Sequence, residues 1–240
     1  MSVYFVLKIW RRAAVTLLLP LLPALVVAQQ TYVTRFDAYA GYAYLNSPGI
    51  GLVEHGFETQ AGVRVLRWLS FGFDYSISTG SLTLTPELLK TSLQQTLAAQ
   101  FAQLVAAGVI PPTYKLAVPT NSLTQTFAGG PQFSYRHFQK VTLFIRPSFG
   151  IIHETATPRP VDPIAAGVVM QLAPSGQKTD NTVFYGFGGG VDYNFSRHVG
   201  VRVQADFVRD HLFNDLLQNP RNTVRFSIGP AFNFGPNIAK

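Results

Sequence analysis

The sequence predicts an all-β fold: eight antiparallel strands closed into an up-and-down transmembrane β-barrel. Three observations carry this. From residue 33 onward apolar residues recur with period two, the strand period, rather than 3.6. Short and long connections alternate strictly between the eight segments. The large apolar side chains share one face of each segment, while Gly, Ser, Arg and Asp share the other.

The first element is an address rather than part of the fold. Lys8, Arg11 and Arg12 form a positive region, and Ala13 to Val27 is an apolar core broken by Pro20 and Pro23. Val26 and Ala28 suit the −3 and −1 positions of a cleavage site. Residues 1–28 therefore read as a cleaved signal peptide and 29–240 as one barrel domain. Fifteen residues with two prolines are short for a helical span, which needs about 20. Cleavage removes three of the 19 basic residues and none of the 12 acidic ones, so the net charge falls from +7 to +4. Support for nucleic acid as a partner falls with it. The absence of cysteine excludes disulfides and Cys-ligated metals. Charged residues are only 13% of the chain, against about 25% in soluble domains.

The strands follow in order. Strand one, Arg35–Tyr44, sets Phe36, Ala38, Ala40, Tyr42 and Tyr44 against Arg35, Asp37, Tyr39 and Gly41. Strand two sets Phe57, Thr59, Ala61, Val63 and Val65 against Glu58, Gln60, Gly62 and Arg64. Strand three sets Leu69, Phe71, Phe73, Tyr75 and Ile77 against Ser70, Gly72, Asp74 and Ser76. Strand four runs from Leu123 to Tyr135, with Ser134 and Arg136 on its polar face. Strand five sets Val141, Leu143, Ile145, Phe149 and Ile151 against Thr142, Arg146, Ser148 and Gly150. Strand six sets Tyr185, Phe187, Val191 and Tyr193 against a polar face of glycines with Asp192 and Asn194. Strand seven alternates Val199, Val201, Val203, Ala205 and Phe207 with Gly200, Arg202, Gln204 and Asp206. Strand eight alternates Val224, Phe226, Ile228, Phe232 and Phe234 with Arg225, Ser227, Gly229 and Asn233. Pro131, Pro147 and Pro230 fall inside these strands, where each removes a ladder hydrogen bond and calls for a bulge or a boundary.

Three links are short: Leu66–Trp68, His137–Lys140 and Ser196–His198. The other four are long: Asn46–Val53, Thr79–Ser122, Thr155–Asp180 and His211–Arg221. Tight turns on one membrane face and longer loops on the other are the habit of transmembrane barrels. The faces agree. An eight-stranded barrel has an interior only wide enough for side chains, so the bulky apolar face belongs outside, against lipid. Tyr42, Tyr44 and Tyr75 gather toward the long loops. Trp68, Phe71, Tyr135, Tyr193, Phe195, Phe232 and Phe234 gather toward the short turns. Together they are the expected aromatic girdle.

The polar face carries an interior charge network. Its basic members are Arg35, Arg64, Arg136, Arg146, Arg202 and Arg225, and its acidic members Asp37, Glu58, Asp74, Asp192 and Asp206. Buried charges must be paired, so the expectation is a salt-bridged plug, with a narrow ion or solute path as the alternative.

The link Thr79–Ser122 is too long to be plain loop. Thr85, Pro86 and Glu87 suit a helix start, and Gly108 with Pro111 and Pro112 a stop. Between them Leu89, Leu93, Leu97, Phe101, Leu104 and Val105 recur at helical spacing. A helix over 86–107 is expected, packed over the barrel mouth by this stripe, with a helix lying at the membrane surface or docking a partner as the alternative. Ile164–Met170 suits a second short helix, and Phe213, Leu216 and Leu217 lie in the last loop.

The closing run Arg225-Phe226-Ser227-Ile228-Gly229-Pro230-Ala231-Phe232-Asn233-Phe234-Gly235 is similar to the last strand of small outer-membrane barrels of the OmpA/OmpX type. Residues 191–201 likewise resemble their strand–turn–strand repeats, and the resemblance spans residues 31–235. It differs at the end, where six residues follow Phe234 and the last is Lys240. No peptidoglycan-binding domain is expected after the barrel. The resemblance implies a monomeric protein of the outer membrane, with lipid as its immediate partner and its loops available to an envelope or extracellular protein.

Chemistry is sparse. His153, Glu154 and Thr155 form the single local base–acid–hydroxyl grouping, without a convergent nucleophile. No phosphate-cradling loop, metal-ligand spacing or dinucleotide fingerprint occurs. No catalytic, cofactor or metal site is expected. The reading is a non-enzymatic barrel with an envelope-structural and surface-interaction role. A low-conductance pore comes second and a lipid-A-modifying enzyme third.

Overall fold

The computed structural model describes residues 30–238; the expected signal peptide lies outside the described residues. The chain forms β1 (Thr34–Ser47), β2 (Leu52–Arg64), β3 (Leu69–Leu84), β4 (Val118–Tyr135), β5 (Val141–Pro158), β6 (Lys178–Asn194), β7 (Val199–Asp210) and β8 (Arg221–Asn237). Each strand pairs antiparallel with its chain neighbours, and β8 closes on β1, giving a barrel without a free edge. Closure satisfies the backbone along every seam, the condition for a sheet in hydrocarbon.

The alternation expected from the sequence sets which side chains face in. On β7, for instance, Gly200, Arg202, Gln204, Asp206, Val208 and Asp210 are buried, while Val199, Val203 and Phe207 between them are exposed. The strands are longer than their apolar alternation, chiefly at the long-loop end. The first link shrinks to the turn Pro48–Gly51, and the second to residues 85–117.

The three prolines are accommodated without bulges. The β4–β5 ladder pairs Gly129 with Phe149 and resumes with Phe133 and Ile145. The unchanged register places Pro131 opposite Pro147, so the two missing N–H groups fall in one gap. The β1–β8 ladder skips from Tyr39–Ala231 to Tyr42–Ile228, which places Pro230 opposite Ala40. The single register shift is elsewhere, between Thr34 and Phe36.

That shift corrects one expectation. Arg35 is exposed on the outer surface, because the irregularity turns Thr34 inward in its place. A second concerns the helix. Pro86–Leu88 form only a single 3₁₀ turn, and Thr85 makes no side-chain cap. Leu89 then runs extended into an isolated bridge with Leu217, and Lys90 N–H donates to Leu216 O at 2.8 Å. The helix proper, α1, spans Thr91–Ala106. Tertiary pairing with the last loop therefore overrides a helical period that runs unbroken from Leu89. The third long loop carries α2, Pro163–Leu172, capped by Asp162, whose carboxylate accepts from Ala165 N–H at 2.8 Å.

Candidate functional site

The interior is built in tiers. Nearest the short turns, Arg202 is 1% exposed and fully engaged. It forms a fork on Asp192, with Nε–Oδ1 at 2.7 Å and Nη2–Oδ2 at 3.0 Å, and donates from Nη1 to Gln60 Oε1 at 2.7 Å. Its guanidinium lies over the ring of Phe144, 4.7 Å from the centroid, and over that of Tyr39 at 5.5 Å. Asp37 bridges it to Arg64, at 3.5 Å from each. Arg136, expected in this network, lies beyond the end of β4. It is half-buried at the short-turn mouth, donating to Arg67 O and Thr142 Oγ1, and makes no ion pair among the described residues.

The middle tier gathers three carboxylates around two guanidiniums. Arg225 Nη2 lies 3.0 Å from Asp206, 3.1 Å from Asp74 and 3.6 Å from Glu58. Arg146 Nη2 contacts the same three acids at 3.5, 2.9 and 3.8 Å. Gln60 and Gln204 both donate to Glu58 Oε1. In a low-dielectric interior such shared, charge-assisted bonds hold only because each charge has several partners. Space for the cluster comes from β6: a Cβ on Gly188 would stand 1.8 Å from Asp206 Oδ1. Gly188→Ala is expected to push Asp206 off Arg225 and cost about 1–3 kcal/mol, read as a lower urea midpoint in detergent micelles.

An upper tier, missed in the sequence, sits at the long-loop end. Arg221 pairs with Glu154 and, through Nε at 3.1 Å, with Asp210. Ser122 Oγ lies 3.0 and 2.9 Å from the Glu54 and Glu154 carboxylates, with one proton to give to either, and Thr124 donates to Glu54 at 2.7 Å. Between the upper and middle tiers Ile152, Phe184 and Val208 face inward as an apolar layer.

Above the mouth the loops form a packed cap. Leu89, Leu97, Leu116, Val118, Val168 and Val169 share one core, joining α1 to α2. Leu93 and Phe101 of the expected stripe pack against it, Leu104 and Val105 are half-buried, and Leu89 contributes from outside the helix. Phe213 and Leu217 close the layer beneath, with Phe213 held at φ 53°, a left-handed conformation strained for a bulky residue. Tyr114 joins the cap by donating to Asp162. Burial, then the hydrogen bond and charge of Asp162, push the Tyr114 phenol up to about 12. The Ala165 N–H holds the Asp162 carboxyl below its ordinary value. The Asp162–Ala165 cap bond is therefore full at neutral pH and lost only as pH falls below the ordinary carboxyl range. The Ala165 amide resonance is expected to report that acid-shifted titration, and Asp162→Asn to abolish it.

The outer face completes the picture. β6 presents Tyr193, Val191, Gly189, Phe187, Tyr185 and Val183 outward before the polar Asn181. β5 presents Leu143 through Ile151 before His153. Bands of nine to eleven residues match a tilted membrane-crossing strand, about 9–11 residues long. Phe149 is 68% exposed, Val183 74%, and Phe187 and Ile145 at least 50%. A continuous apolar belt of this kind around a polar interior is not a soluble surface. The chain is a membrane-spanning β-barrel.

Of the expected girdle residues, Trp68, Phe71, Tyr135, Tyr193, Phe195, Phe232 and Phe234 are exposed on the barrel toward the short turns. Tyr42, also exposed, and the half-buried Tyr44 and Tyr75 stand toward the long loops. The barrel wall splits the His153–Glu154–Thr155 grouping. His153 faces out toward Asn181, Glu154 faces in to Arg221, and Thr155 faces out toward Thr179. The three do not converge on one point.

No protein-family model matches the chain, and no curated protein matches its sequence. Among solved structures the barrel is similar to Neisserial surface protein A, with 13% identity, a TM-score of 0.49, and coverage of 83% of this chain and 96% of that one. It is also similar to OprG, an outer membrane protein of Pseudomonas aeruginosa, with 8% identity, a TM-score of 0.47, and coverage of 87% and 99%. A third is Ail, the attachment invasion locus protein of Yersinia pestis, with 10% identity, a TM-score of 0.45, and coverage of 84% and 99%.

Proposed function

We propose that the chain is a non-enzymatic, monomeric outer-membrane barrel, exported by a cleaved signal peptide at residues 1–28. Its rigid wall holds a cap of loops outside the cell for contact with an envelope or extracellular protein. The aromatic residues at the two ends of the apolar belt anchor it in lipid, its immediate partner. The observation that supports a structural rather than a conducting role is the filled interior. Arg225 and Arg146 share Asp74, Asp206 and Glu58 across the lumen, with the Ile152–Phe184–Val208 layer above them. A side-chain-filled lumen of eight strands leaves no aqueous path.

The test is single-channel conductance in a planar bilayer, using protein extracted from the outer membrane of an expressing host. Silence is expected. Discrete, salt-dependent steps would overturn the plug and put the low-conductance pore in its place. Lipid A from cells with and without the protein is expected to be identical, and a change in its acylation would restore the enzyme reading.

A further inference from the structure

The short-turn mouth differs in charge from the rest of the interior. Every arginine in the tiers above has a carboxylate within 3.8 Å. At the mouth, a pocket of ≈270 Å³ opens between the segment 30–34 and the β4–β5 and β6–β7 turns. Arg64, Arg136, Lys140 and Arg197 line it, and no aspartate or glutamate does. Of the four only Arg64 is paired, with Asp37 at 3.5 Å; among the described residues Arg136, Lys140 and Arg197 form no ion pair.

The three arginines also have side-chain contacts. Arg64 donates to Thr34 Oγ1 and to Asn233 Oδ1, both at 2.7 Å. Arg136 donates from Nε to Arg67 O and from Nη1 to Thr142 Oγ1, each at 3.0 Å. The Arg197 guanidinium lies 5.1 Å over the Tyr32 ring. Fixed guanidiniums are suited to oxyanions, which they bind as planar forks, and a lysine ammonium adds a point charge. The side-chain amides of Asn194 and Asn233 line the same space; each already donates once, to Lys140 O and to Asn194 Oδ1, both at 3.3 Å, which leaves one N–H on each for a further oxygen.

We propose that this pocket binds a phosphate-class oxyanion, gripped by Arg136 and Arg197 with Lys140 completing the charge. Two sources carry that chemistry. Phe195 lines the pocket and is 62% exposed, and Trp68 and Tyr135 are exposed toward the same end, so a lipid headgroup phosphate is within reach. The pocket is equally open to a soluble phosphate.

Protein extracted from the outer membrane and held in a phosphate-free detergent would be titrated with inorganic phosphate by calorimetry. In parallel, protein in phosphatidylglycerol nanodiscs would be examined by native mass spectrometry for retained lipid. Both would be repeated on the Arg136→Gln/Lys140→Gln/Arg197→Gln variant, whose three sites lie in turns. Circular dichroism and heat-modified gel mobility would check its fold. Saturable phosphate binding weakened at least tenfold in the variant supports the site and identifies a soluble anion. Variant-sensitive lipid retention without phosphate binding supports it and identifies a headgroup. Absence of both, or equal behaviour of variant and parent, overturns it. Should the triple variant fail to fold, Arg197→Gln alone is read in the same way.

Discussion

Arg225→Ala is expected to be among the most destabilising single substitutions in the barrel. Arg225 contacts Glu58, Asp74 and Asp206, all 3% exposed or less. Its loss leaves three carboxylates around Arg146 alone. Removing one partner of a buried ion pair costs about 3–5 kcal/mol, because the remaining charge stays desolvated. Reversible urea unfolding in detergent, followed by tryptophan fluorescence, would read this as a lower midpoint. Adding Asp206→Asn or Glu58→Gln is expected to restore part of the loss, since each removes a carboxylate that Arg225 had balanced. Arg35→Ala is the control: outside the wall and without an ion pair among the described residues, it is expected to change stability by no more than about 0.5 kcal/mol. Equal effects at the two arginines would show that the interior network does not hold the barrel together.

The second large effect is expected on the opposite face. Val203 lies midway along the apolar run of β7, between Val199 and Phe207, and is 49% exposed on the outer surface. In lipid, Val203→Arg is expected to cost about 2–4 kcal/mol, the depth-dependent penalty for a charge near the bilayer midplane. Asn181→Arg, just above the band on β6, is expected to cost about 0–1 kcal/mol. A barrel surrounded by water would show no dependence on depth. Folding into lipid vesicles at a series of urea concentrations separates the two cases.

The eight strands were legible because a wall with one face in lipid and one in a packed lumen must alternate along its whole crossing. That signal stops where the lipid stops. At His55, His153, Arg209 and Asn222 the outward face turns polar, yet the strands continue. Arg221 therefore read as a link residue, Glu54, Glu154 and Asp210 fell between the alternating runs and the links and were not placed on the inward face, and the upper tier was missed. A charged residue next to a polar outward neighbour at a strand end was the available signal. Arg35 misled because a single irregularity between Thr34 and Phe36 reverses the facing of the residue within it, and nothing in the local pattern marks it. Leu89 misled because its spacing to Leu93 and Leu97 is helical, while its extended backbone is set by Leu217, more than a hundred residues away. Long-range pairing leaves no mark on a local period.

The two interrupted ladders have a geometric consequence. In a ring of eight strands the β4–β5 and β8–β1 seams are diametrically opposite. Each lacks pairing for a few residues beside a proline. The wall is thus two continuous four-stranded staves, β1–β4 and β5–β8, joined along two weaker lines. Such a cylinder is not equally stiff in all directions. It flattens most readily by bending along those lines, as a tube does when creased on two sides. The arginine–carboxylate bonds that run from one stave to the other, Arg225 to Asp74 and Arg146 to Asp74 among them, act as struts across the width that this flattening would change.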